Sequence, residues 1–436
     1  MFSETVELRG HIIDSLILPK VLDTILISGG NFKIGEVKIG QNRADQSYAR
    51  VEVSAPSGEA LDELLLRLRQ HGAEALEKKE AQLAPAPADG VFPPEFYVTT
   101  NQQTFVRLGK DEVEVKPAMM DSGVAIDFGN TARAVRFYDV RKGDQIVVGH
   151  QGVRVVPLQR STSHTDIFHF INTSVSAERP KSAVIRELGA ELVRIRNAGG
   201  NILVVGGPAI VHTGAAEQLE QLIERGFVQR LFAGNGLAVY DIESVLYGTS
   251  LGMALEHSAL VDRGHENHMR AINTIREAGG IAQAVEKKVL TRGIMHACVQ
   301  HGVDIVLSGS IRDDGPIPGV NTDAIEAQKI MRDKLQDVSI VLMMGSMLHS
   351  IAVSNMLSAA VKVVVVDIDP AAVSKITSQQ SFQSIGLVTD VEPFLRELVA
   401  GLTAAEAKKE VSDSSSSVGM TADAGAKQMT DGAAAK

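Results

Sequence analysis

Three strand-to-helix turns in the C-terminal half of the chain have residues suited to a dinucleotide, and two of them contain glycine followed by small or hydroxyl-bearing residues. Gly206, Gly207 and Pro208 follow the apolar run 202–205, and the sequence Gly-Ser-Met-Leu-His-Ser at 345–350 follows a second apolar run. Glycine allows backbone N–H groups to approach a ligand closely, and a helix that begins at such a turn attracts phosphate. The pattern predicts turns that bind a phosphate-bearing ligand such as a dinucleotide. The alternative is that the glycines only close tight turns.

The third of these turns carries an acid. The β-branched run 363–366 is followed by Asp367, and an acid in this position can bind the ribose hydroxyls of a dinucleotide. A carboxylate about 4 Å from a 2′-phosphate would be repelled by roughly 4 kcal/mol at an effective dielectric near 20, so Asp367 favours NAD over NADP. None of the three turns is a GxGxxG motif, and Asp367 comes late in the domain. A dinucleotide-binding fold in the standard strand order is therefore not expected.

A charged loop follows another expected strand. Residues 307–318 read LSGSIRDDGPIP, so Arg312, Asp313 and Asp314 stand between glycines and prolines. Loops that follow sheet strands are where α/β proteins bind ligands, which makes this loop a candidate binding site. The alternative is a solvated turn in which the arginine pairs with an aspartate. The turn at 234–236, Gly-Asn-Gly, is a weaker candidate of the same kind.

Metal and thiol chemistry have little support in the sequence. His265 and His268 have the spacing of helical metal ligands, but no third ligand stands at a characteristic distance, so both are interpreted as structural or solvated. No metal is expected. Cys298 is the single cysteine, which excludes a disulfide framework and a cysteine-rich zinc site. We interpret Cys298 as a small packed side chain rather than a nucleophile.

Composition limits the class of protein. The 436 residues carry 43 Lys and Arg against 53 Asp and Glu, and the net charge of −10 disfavours nucleic-acid binding. Aromatic residues make up 4% and tryptophan is absent, which argues against stacking platforms for bases or sugars. The charged N-terminus is unlike a signal peptide, and polar residues interrupt the apolar region 338–368, so neither export nor membrane insertion is expected. These features favour a cytoplasmic protein.

Three domains and a tail are expected. Apolar periodicity predicts a small α+β, ferredoxin-like domain over 1–83, followed by a linker rich in Pro and Ala. Short strands separated by turns predict a β-rich, barrel-like module over 96–175, beginning with a strand at 96–100. From 176 to 402, helices alternate with β-branched strands, which is typical of an α/β domain with a mostly parallel sheet. The segment 403–436 lacks bulky apolar residues and is expected to be disordered.

The strands expected in the α/β domain are short apolar runs rich in β-branched residues. They lie at 201–207, 231–234, 238–241, 304–309, 339–345, 362–369 and 385–390.

Several segments together resemble the LOR/SDH family, which is named after lysine-oxoglutarate reductase/saccharopine dehydrogenase. The segments are SGSIRDDGPIPGV with AQKIMR, GGPAIVHTGA, FAGNGLAVYDIE, VVVVDIDP and GLVTDV, and the resemblance covers about residues 5–400. The family includes archaeal-type ornithine cyclodeaminases and the C-terminal part of cyanobacterial arginine dihydrolase/ornithine cyclodeaminase. The resemblance implies an NAD-binding domain similar to those of deoxyhypusine synthase and sirtuins, which agrees with the missing GxGxxG motif.

The resemblance also implies which residues contact NAD. They are Asn235, Gly236, Asp314, Ser346, Met347, Leu348, His349, Asp367, Asp390 and Val391. Gly236 and Ser346 stand where alanine and threonine are expected in relatives, and both changes leave backbone contacts possible. The arginine dihydrolase domain of the bifunctional relatives is not found in this sequence, so no activity on arginine is expected.

The activity implied by the resemblance is that of an NAD-dependent ammonia-lyase, an ornithine cyclodeaminase, which converts L-ornithine to L-proline and ammonia by oxidation, cyclisation and re-reduction. Such a site needs a cation for the substrate carboxylate, a carboxylate for the δ-ammonium and exclusion of water from an imine. Arg312 is the candidate for the first role and Asp313 for the second. Asp121, and Glu178 with Lys181, are further candidates, because their segments join the β-rich module to the NAD domain.

Two other functions are compatible with these residues. One is another NAD-dependent amino-acid or opine dehydrogenase, which would accumulate NADH. The other is a non-catalytic sensor of NAD or an amino acid, with residues 1–80 as the ligand-binding domain. The expected partners are a small amino-acid substrate, L-ornithine, and further copies of the chain in a homo-oligomer, with no nucleic acid and no membrane.

Overall fold

The computed structural model of this chain contains three large sheets, each with its own buried apolar cluster. The structure describes residues 2–10, 12–13, 16–40, 45–69, 71–75, 80–156, 181–250, 253–254, 265–313, 315–378 and 383–408.

The N-terminal unit is an antiparallel sheet covered by two helices. Its elements are β1 (Phe2–Gly10), α1 (Ile17–Ile27), β2 (Asn31–Lys38), β3 (Ser47–Ala55), α2 (Gly58–Arg69) and β4 (Glu74–Ala75). The chain order and the strand order β2-β3-β1-β4 are those of a ferredoxin-like unit, as expected from the sequence. Residues of β3 alternate in burial, so Val51 and Val53 enter the core that α1 and α2 cover.

The second unit is a mixed sheet. Its strands are β5 (Gln82–Pro85), β6 (Gln103–Leu108), β7 (Asp111–Lys116), β8 (Gly123–Asp127), β9 (Thr131–Val135), β10 (Gln145–Val148) and β11 (Val153–Val156), and a 3₁₀ turn covers Phe137–Asp139. The order is β11-β6-β7-β9-β8-β10-β5, in which β7 and β9 pair in parallel. This is the β-rich module expected from the sequence.

Two predictions for the start of this module are wrong, namely the irregular linker and the strand at 96–100. Residues 82–85 form β5, which pairs with β10 at an edge of the sheet, where an extended segment that ends in proline is tolerated. Within 96–100, Phe96 makes only an isolated bridge to Val148. The rings of Phe92 and Phe96 stack with their centroids 4.4 Å apart, so this apparent linker packs onto the module.

The third unit is a parallel sheet with helices on both faces. Its strands are β12 (Asn201–Gly206), β13 (Arg230–Gly234), β16 (Asp304–Ser308), β17 (Val320–Asn321), β18 (Val338–Met344), β19 (Lys362–Asp367) and β20 (Ser384–Val388), while β14 (Thr249–Ser250) and β15 (Met253–Ala254) pair separately. Its helices are α3 (Lys181–Asn197), α4 (Ala209–His212), α5 (Ala216–Glu224), α6 (Asn235–Tyr247), α7 (His265–Ala278), α8 (Ile281–Glu286), α9 (Ile294–Gln300), α10 (Ala324–Asp333), α11 (Met347–Ser354), α12 (Pro370–Ser378) and α13 (391–408). The fold class expected from the sequence is confirmed.

The strand order of the parallel sheet is β17-β16-β13-β12-β18-β19-β20. From β12 the chain moves outward to β13 and β16, and it then returns to place β18 on the other side of β12. With β17 set aside, this is the 3-2-1-4-5-6 order of dinucleotide-binding sheets, which form a crevice at the carboxyl ends of the two central strands. The expectation of a non-standard order is therefore wrong, because the crossovers and not a GxGxxG motif decide the order.

Most of the strands expected in this domain form, but the one at 238–241 does not. Helix α6 begins at Asn235, directly after β13, and the side chains of Leu237, Ala238 and Ile242 pack in the core of the domain. The β-branched content of this short run misled the strand prediction, because packing of the helix against the sheet overrides a weak local preference. The C-terminal helix α13 also continues to residue 408, into the segment expected to be a tail. The rest of that segment lies outside the described residues.

The β-rich module packs against the amino edge of the parallel sheet. The Ala359 N–H, in the segment that leads into β19, donates to the Asn101 carbonyl at 2.8 Å. Arg332, near the end of α10, pairs with Asp139 at 3.0 Å, and Tyr138 donates to Gln328 at 2.9 Å. Because parallel strands begin at this edge, the module leaves the carboxyl ends of the strands on the opposite side.

A buried carboxylate joins two helices of the C-terminal domain. Asp241 on α6 is fully buried and accepts hydrogen bonds from the backbone N–H groups of Ile294, at 2.9 Å, and Met295, at 2.8 Å. Gly293 precedes them with a φ of +99°, and a Cβ there would come within 3.0 Å of the carboxylate. Desolvation raises the pKa of Asp241 to about 7, although the two N–H donors oppose that rise.

We expect Asp241→Ala to lower the free energy of unfolding by about 2–5 kcal/mol, because two buried N–H groups lose their acceptor. Asp241→Asn keeps one acceptor and should lose less. The native pKa lies above the unfolded value of 3.8, so the folded state binds the extra proton between that value and about 7. Wild-type stability relative to Asp241→Asn should therefore fall as pH rises through this window. Urea unfolding at several pH values measures this difference, and a pH-independent difference would contradict the assignment.

Candidate functional site

Two glycine turns meet where the strand order reverses. The Gly207 N–H donates to the Met344 carbonyl at 2.8 Å, so the turn after β12 is bound to the end of β18. A Cβ on Gly207 would overlap the carbonyl oxygen of Gly345. Gly345 itself has a φ of +60°, and a Cβ there would come within 2.7 Å of the Ala209 Cβ. Glycine is thus required on both sides of the crevice, and the backbone forms its floor.

His349 reaches from α11 across the crevice to β13. Its ring carbon Cε1 lies 3.1 Å from the position that a Cβ on Gly234 would take. The Ser346 hydroxyl lies 3.1 Å from Nδ1 of the same ring, which fixes its orientation. Desolvation lowers the pKa of His349, and the Asp313 carboxylate opposes that shift. An imidazole with a lowered pKa is neutral at pH 7 and can accept a proton.

The charged loop after β16 lies beside this ring. The Ser310 N–H donates to the Asp313 carboxylate at 2.7 Å, and this contact holds the turn closed, while Arg312 is exposed. Asp314 lies outside the described residues. The last residue of β16, Ser308, is 8% exposed, and its hydroxyl is buried without a hydrogen-bond partner. A buried hydroxyl without a partner marks a position that a ligand can satisfy.

The turn after β13 is rigid and tightly packed. Asn235 is 2% exposed, and its side-chain oxygen accepts a hydrogen bond from the Ile317 N–H at 3.1 Å. A Cβ on Gly236 would lie 3.5 Å from Pro208 and 3.6 Å from Tyr240, which are ordinary contact distances. The turns after β12 and β13 therefore touch each other at the edge of the crevice.

Two further strand ends complete the edge of the sheet. One oxygen of Asp367, after β19, accepts the Asp369 N–H at 2.9 Å, in a turn that leads into α12. Asp390 follows β20, and its carboxylate lies 3.4 Å from the Glu392 N–H. The Val391 Cγ2 lies 3.6 Å from the position of a Cβ on Gly345, so this helix start adjoins the glycine floor.

Large apolar side chains are exposed beyond the carboxyl ends of β16, β18 and β19. They are Ile311 at 107%, Met347 at 42%, Leu348 at 73% and Ile368 at 72% of their full accessible area. Exposed apolar side chains grouped around a crevice indicate a surface that contacts a ligand. Glycine backbone for phosphate, an acid for ribose and apolar surface for rings together fit a dinucleotide.

Comparison with known proteins agrees with this geometry. The model of the LOR/SDH bifunctional enzyme conserved region matches residues 3–102. Two models of the C-terminal part of ArgZ-like arginine dihydrolases match the residues that follow, the first region at 103–185 and the Rossmann fold at 186–398. The chain is 48% identical over 396 residues to the ornithine cyclodeaminase of Methanothermobacter thermautotrophicus, covering 91% of this chain and 96% of that relative.

The chain belongs to the LOR/SDH family.

Two solved structures resemble this LOR/SDH chain. The apo structure of ArgZ, an arginine dihydrolase from the ornithine-ammonia cycle in cyanobacteria, is 35% identical with a TM-score of 0.79. The ternary complex of AgrE with ornithine and NAD⁺ is 39% identical with a TM-score of 0.51. In both comparisons, the match covers 92% of this chain and 58% of the other.

The LOR/SDH chain brings most of the predicted NAD contacts to one edge. The predicted NAD contacts that follow strand ends there are Asn235, Gly236, Ser346, Met347, Leu348, His349, Asp367, Asp390 and Val391. The predicted substrate residues Arg312 and Asp313 follow β16 at the same edge. Lys181 also lies at this edge, because its Nζ donates to the Val388 carbonyl at the end of β20 at 2.6 Å. Asp121 does not: its carbonyl accepts from Arg136, which also donates to Asn355 at the far end of α11. Glu178 lies outside the described residues.

Metal-binding and membrane features are not found in the part of the chain that the structure describes. No group of three or more His, Cys, Asp or Glu side chains there could hold a metal ion. No helix in the same residues has the length and apolar character needed to cross a bilayer. Cys298 is buried in the core, and desolvation raises the pKa of its thiol, which agrees with a packed side chain.

Sequence reasoning missed two groups near the crevice. Ser308 stands in the candidate segment 307–318, but its hydroxyl was given no role of its own, although a hydroxyl residue at the carboxyl end of a sheet strand is a usable signal. His212 lies four residues after Pro208, at the end of the short helix α4. The His212 ring contacts Tyr240 and Ser250, which are far from it in the sequence, so no local sequence pattern predicts these contacts.

We expect Gly207→Ala to disrupt the crevice, whereas Gly236→Ala should be tolerated. The added methyl group at 207 has no room beside Gly345, while the one at 236 makes only ordinary contacts. The first variant should lose dinucleotide binding measured by calorimetry and lose several kcal/mol of stability, since overpacking costs about 1–3 kcal/mol or more. The second variant is the matched control. Normal binding by Gly207→Ala would show that the two turns separate freely.

Proposed function

We propose that this protein is an NAD-dependent ornithine cyclodeaminase that converts L-ornithine to L-proline and ammonia. The observation that carries the proposal is the crevice at the carboxyl ends of β12 and β18, with its glycine floor, in a chain that matches an ornithine cyclodeaminase over nearly its whole length. The related AgrE forms a complex with both ornithine and NAD⁺. The same ligands suit the acid, glycine and apolar groups along this edge.

The chain's own residues suggest how NAD would be held. Asp367 keeps one carboxylate oxygen in its turn, which leaves the other for ribose hydroxyls. The glycine floor and the start of α11 at Ser346 suit the pyrophosphate. With the ribose acid at β19, the ends of β13 and β16 remain for the reacting half, beside Asn235 and His349. When bound there, NAD supplies a hydride acceptor and, later in the same turnover, a hydride donor.

The groups around that half fit the needs of an amino-acid substrate. Arg312 would pair with the substrate carboxylate, and Asp313 would hold an ammonium group. The neutral ring of His349 lies close enough to Asp313 for that carboxylate to influence the pKa of the ring. His349 would therefore accept a proton from the ammonium group that Asp313 holds. Ile311, Met347 and Leu348 would cover the reacting atoms and exclude water, which protects an imine from hydrolysis.

The decisive experiment supplies purified protein with L-ornithine and NAD. We expect proline and ammonia in equal amounts without accumulation of NADH, because each oxidation is followed by a reduction. Absence of both products, with NAD shown to be bound, would contradict the proposal. Steady accumulation of NADH would instead favour a dehydrogenase, and binding of ornithine without turnover would favour a sensor.

Asp367→Ala should weaken NAD binding by about tenfold or more, because hydrogen bonds to a charged group contribute about 1.5–3 kcal/mol. Loss of the carboxylate should also reduce the preference for NAD over NADP, since its repulsion of a 2′-phosphate disappears. Calorimetric titration with both nucleotides measures these changes. Asp333→Ala, at an exposed position of α10, is the matched control and should bind as the wild type does.

Association and location also belong to the proposal. We infer a homo-oligomer, because large apolar side chains are exposed away from the crevice, including Ile27 at 76%, Ile39 at 63% and Phe128 at 110%. We infer a cytoplasmic location, because the buried thiol of Cys298 and a metabolic substrate suit a reducing compartment.

A further inference from the structure

A second group of ionisable and hydroxyl side chains lies around α6, the helix that follows β13. It consists of His212, Tyr240, Glu243, Thr249, Ser250 and His268, and we call it the His212 cluster. The Tyr240 ring lies between the two imidazoles, with centroids 4.7 Å from His212 and 5.2 Å from His268. Glu243 is fully buried; it accepts a hydrogen bond from Thr249 at 2.8 Å and lies 3.5 Å from the Nδ1 of His268.

His212 is the most exposed member of the cluster. It ends the short helix α4 and is exposed at the surface. Its Nδ1 lies 2.7 Å from the Ser250 hydroxyl, and Ser250 is 4% exposed. When Nδ1 carries the proton and donates it to Ser250, the other ring nitrogen, Nε2, is left as a free base. The Ser250 hydroxyl therefore fixes the orientation of the His212 ring through its contact with Nδ1.

The His212 cluster adjoins the crevice through Gly236. A Cβ on Gly236 would lie 3.6 Å from the Tyr240 ring and 3.5 Å from Pro208, which begins the turn that leads to His212. On the other side of the same strand end, His349 covers Gly234. His349 of α11 therefore lies against the end of β13, and His212 of α4 lies beside α6, the helix that follows β13, next to the Tyr240 ring.

The proposed reaction needs two proton acceptors. At neutral pH ornithine carries two ammonium groups: the α-nitrogen must lose a proton before its C–H bond is oxidised, and the δ-nitrogen must lose one before it attacks carbon. His349 with Asp313 provides one acceptor, and the residues assigned so far provide no second neutral base. The products, proline zwitterion and ammonium, carry the same total charge as the substrate. Every proton accepted during turnover must therefore be returned.

We propose that His212 is a catalytic base of this enzyme, that its Nε2 accepts a proton from a substrate ammonium group at the end of β13, and that Ser250 and Tyr240 position its ring. The inference rests on the proposed function. In the proton transfer, one N–H bond of the ammonium group breaks and one forms at Nε2. The nitrogen retains its electron pair, and the proton returns to the departing ammonia. No oxidant or other co-reactant is involved in this step.

The electrostatics of the cluster agree with this role. Desolvation lowers the pKa of His212, and the buried Glu243 carboxylate opposes the shift. Among the residues that the structure describes, the groups that face the ring are the phenol of Tyr240, the hydroxyl of Ser250 and, beyond the phenol, His268 and Glu243. A base with its pKa below the ordinary value of 6.5 is neutral at pH 7 and readily gives its proton back, as a cyclic transfer requires.

The test compares His212→Asn with His301→Asn in the full chain, with NAD and L-ornithine. Asparagine at 212 retains a hydrogen-bonding group for Ser250 but has no titratable nitrogen, and His301 is an exposed histidine after α9 that serves as the matched control. We expect kcat to fall about a hundredfold or more in His212→Asn, with KM for ornithine and NAD affinity little changed. His301→Asn should match the wild type. Tyr240→Phe and Ser250→Ala should show smaller decreases in kcat.

A proton-transfer role also predicts chemical rescue. His212 is exposed, so free imidazole should enter the space left by His212→Ala and restore part of the activity. The restored rate should increase with the concentration of neutral imidazole. Loss of activity that imidazole does not restore, or full activity in His212→Asn, would overturn the proposal.

A measurement on wild-type protein that does not require turnover distinguishes a role in proton transfer from misfolding of a variant. The Cε1 proton of His212, assigned from its shift in Ser250→Ala, is titrated by NMR in wild-type protein with and without ornithine and in the absence of NAD. A midpoint below 6.5 that moves on addition of ornithine supports the proposal, and an unchanged resonance overturns it. Failure of wild-type protein to form proline would defeat the proposed function itself. Wild-type activity with an unaffected His212→Asn variant would defeat only this inference.

Discussion

The contact between two backbone turns at the centre of the parallel sheet is the constraint on which the site depends. The Gly207 turn is hydrogen-bonded to the end of β18, and Gly345 leaves no room for a side chain at position 207. Since the strand order reverses between β12 and β18, the helices on either side diverge and open a crevice above these glycines. Every other group of the site is placed by reference to this floor, because each follows a strand that ends at the same edge.

Burial sets the chemistry of the groups along that edge. The imidazoles of His349 and His212 are both desolvated, so both pKa values lie below the ordinary value and both rings are uncharged at neutral pH. The nearby carboxylates, Asp313 and Glu243, moderate these shifts without reversing them. The buried carboxylate of Asp241 has a structural role, because each of its oxygens accepts a backbone N–H at the start of α9 and so holds α9 against α6. Asp241 thus holds the fold, whereas His349 lies along the edge that forms the crevice.

The sequence predicted the parts of this site that depend on local pattern. Glycine turns after apolar runs and Asp367 at the end of β19 were visible because strand, turn and acid are adjacent in sequence. The prediction of a linker was wrong because β5 forms only by pairing with β10, some sixty residues later, and no local pattern reveals that pairing. The prediction of a non-standard strand order was wrong because the crossovers between strands set that order, and a short sequence motif does not reveal them. His212 was missed because Ser250 and Tyr240 meet it only through the packing of α4, α6 and β14.

Helix α11 connects the two sides of the C-terminal domain. It has 8 residues, so its ends lie about 12 Å apart at a rise of 1.5 Å per residue. Ser346 and His349 stand at its start, and Asn355, whose carbonyl accepts from Arg136 of the β-rich module, follows its end. Helix α11 therefore joins the contact with the β-rich module to the ring that lies above Gly234. The β-rich module and the crevice are thus attached to opposite ends of the same short helix, so their positions are not independent of each other.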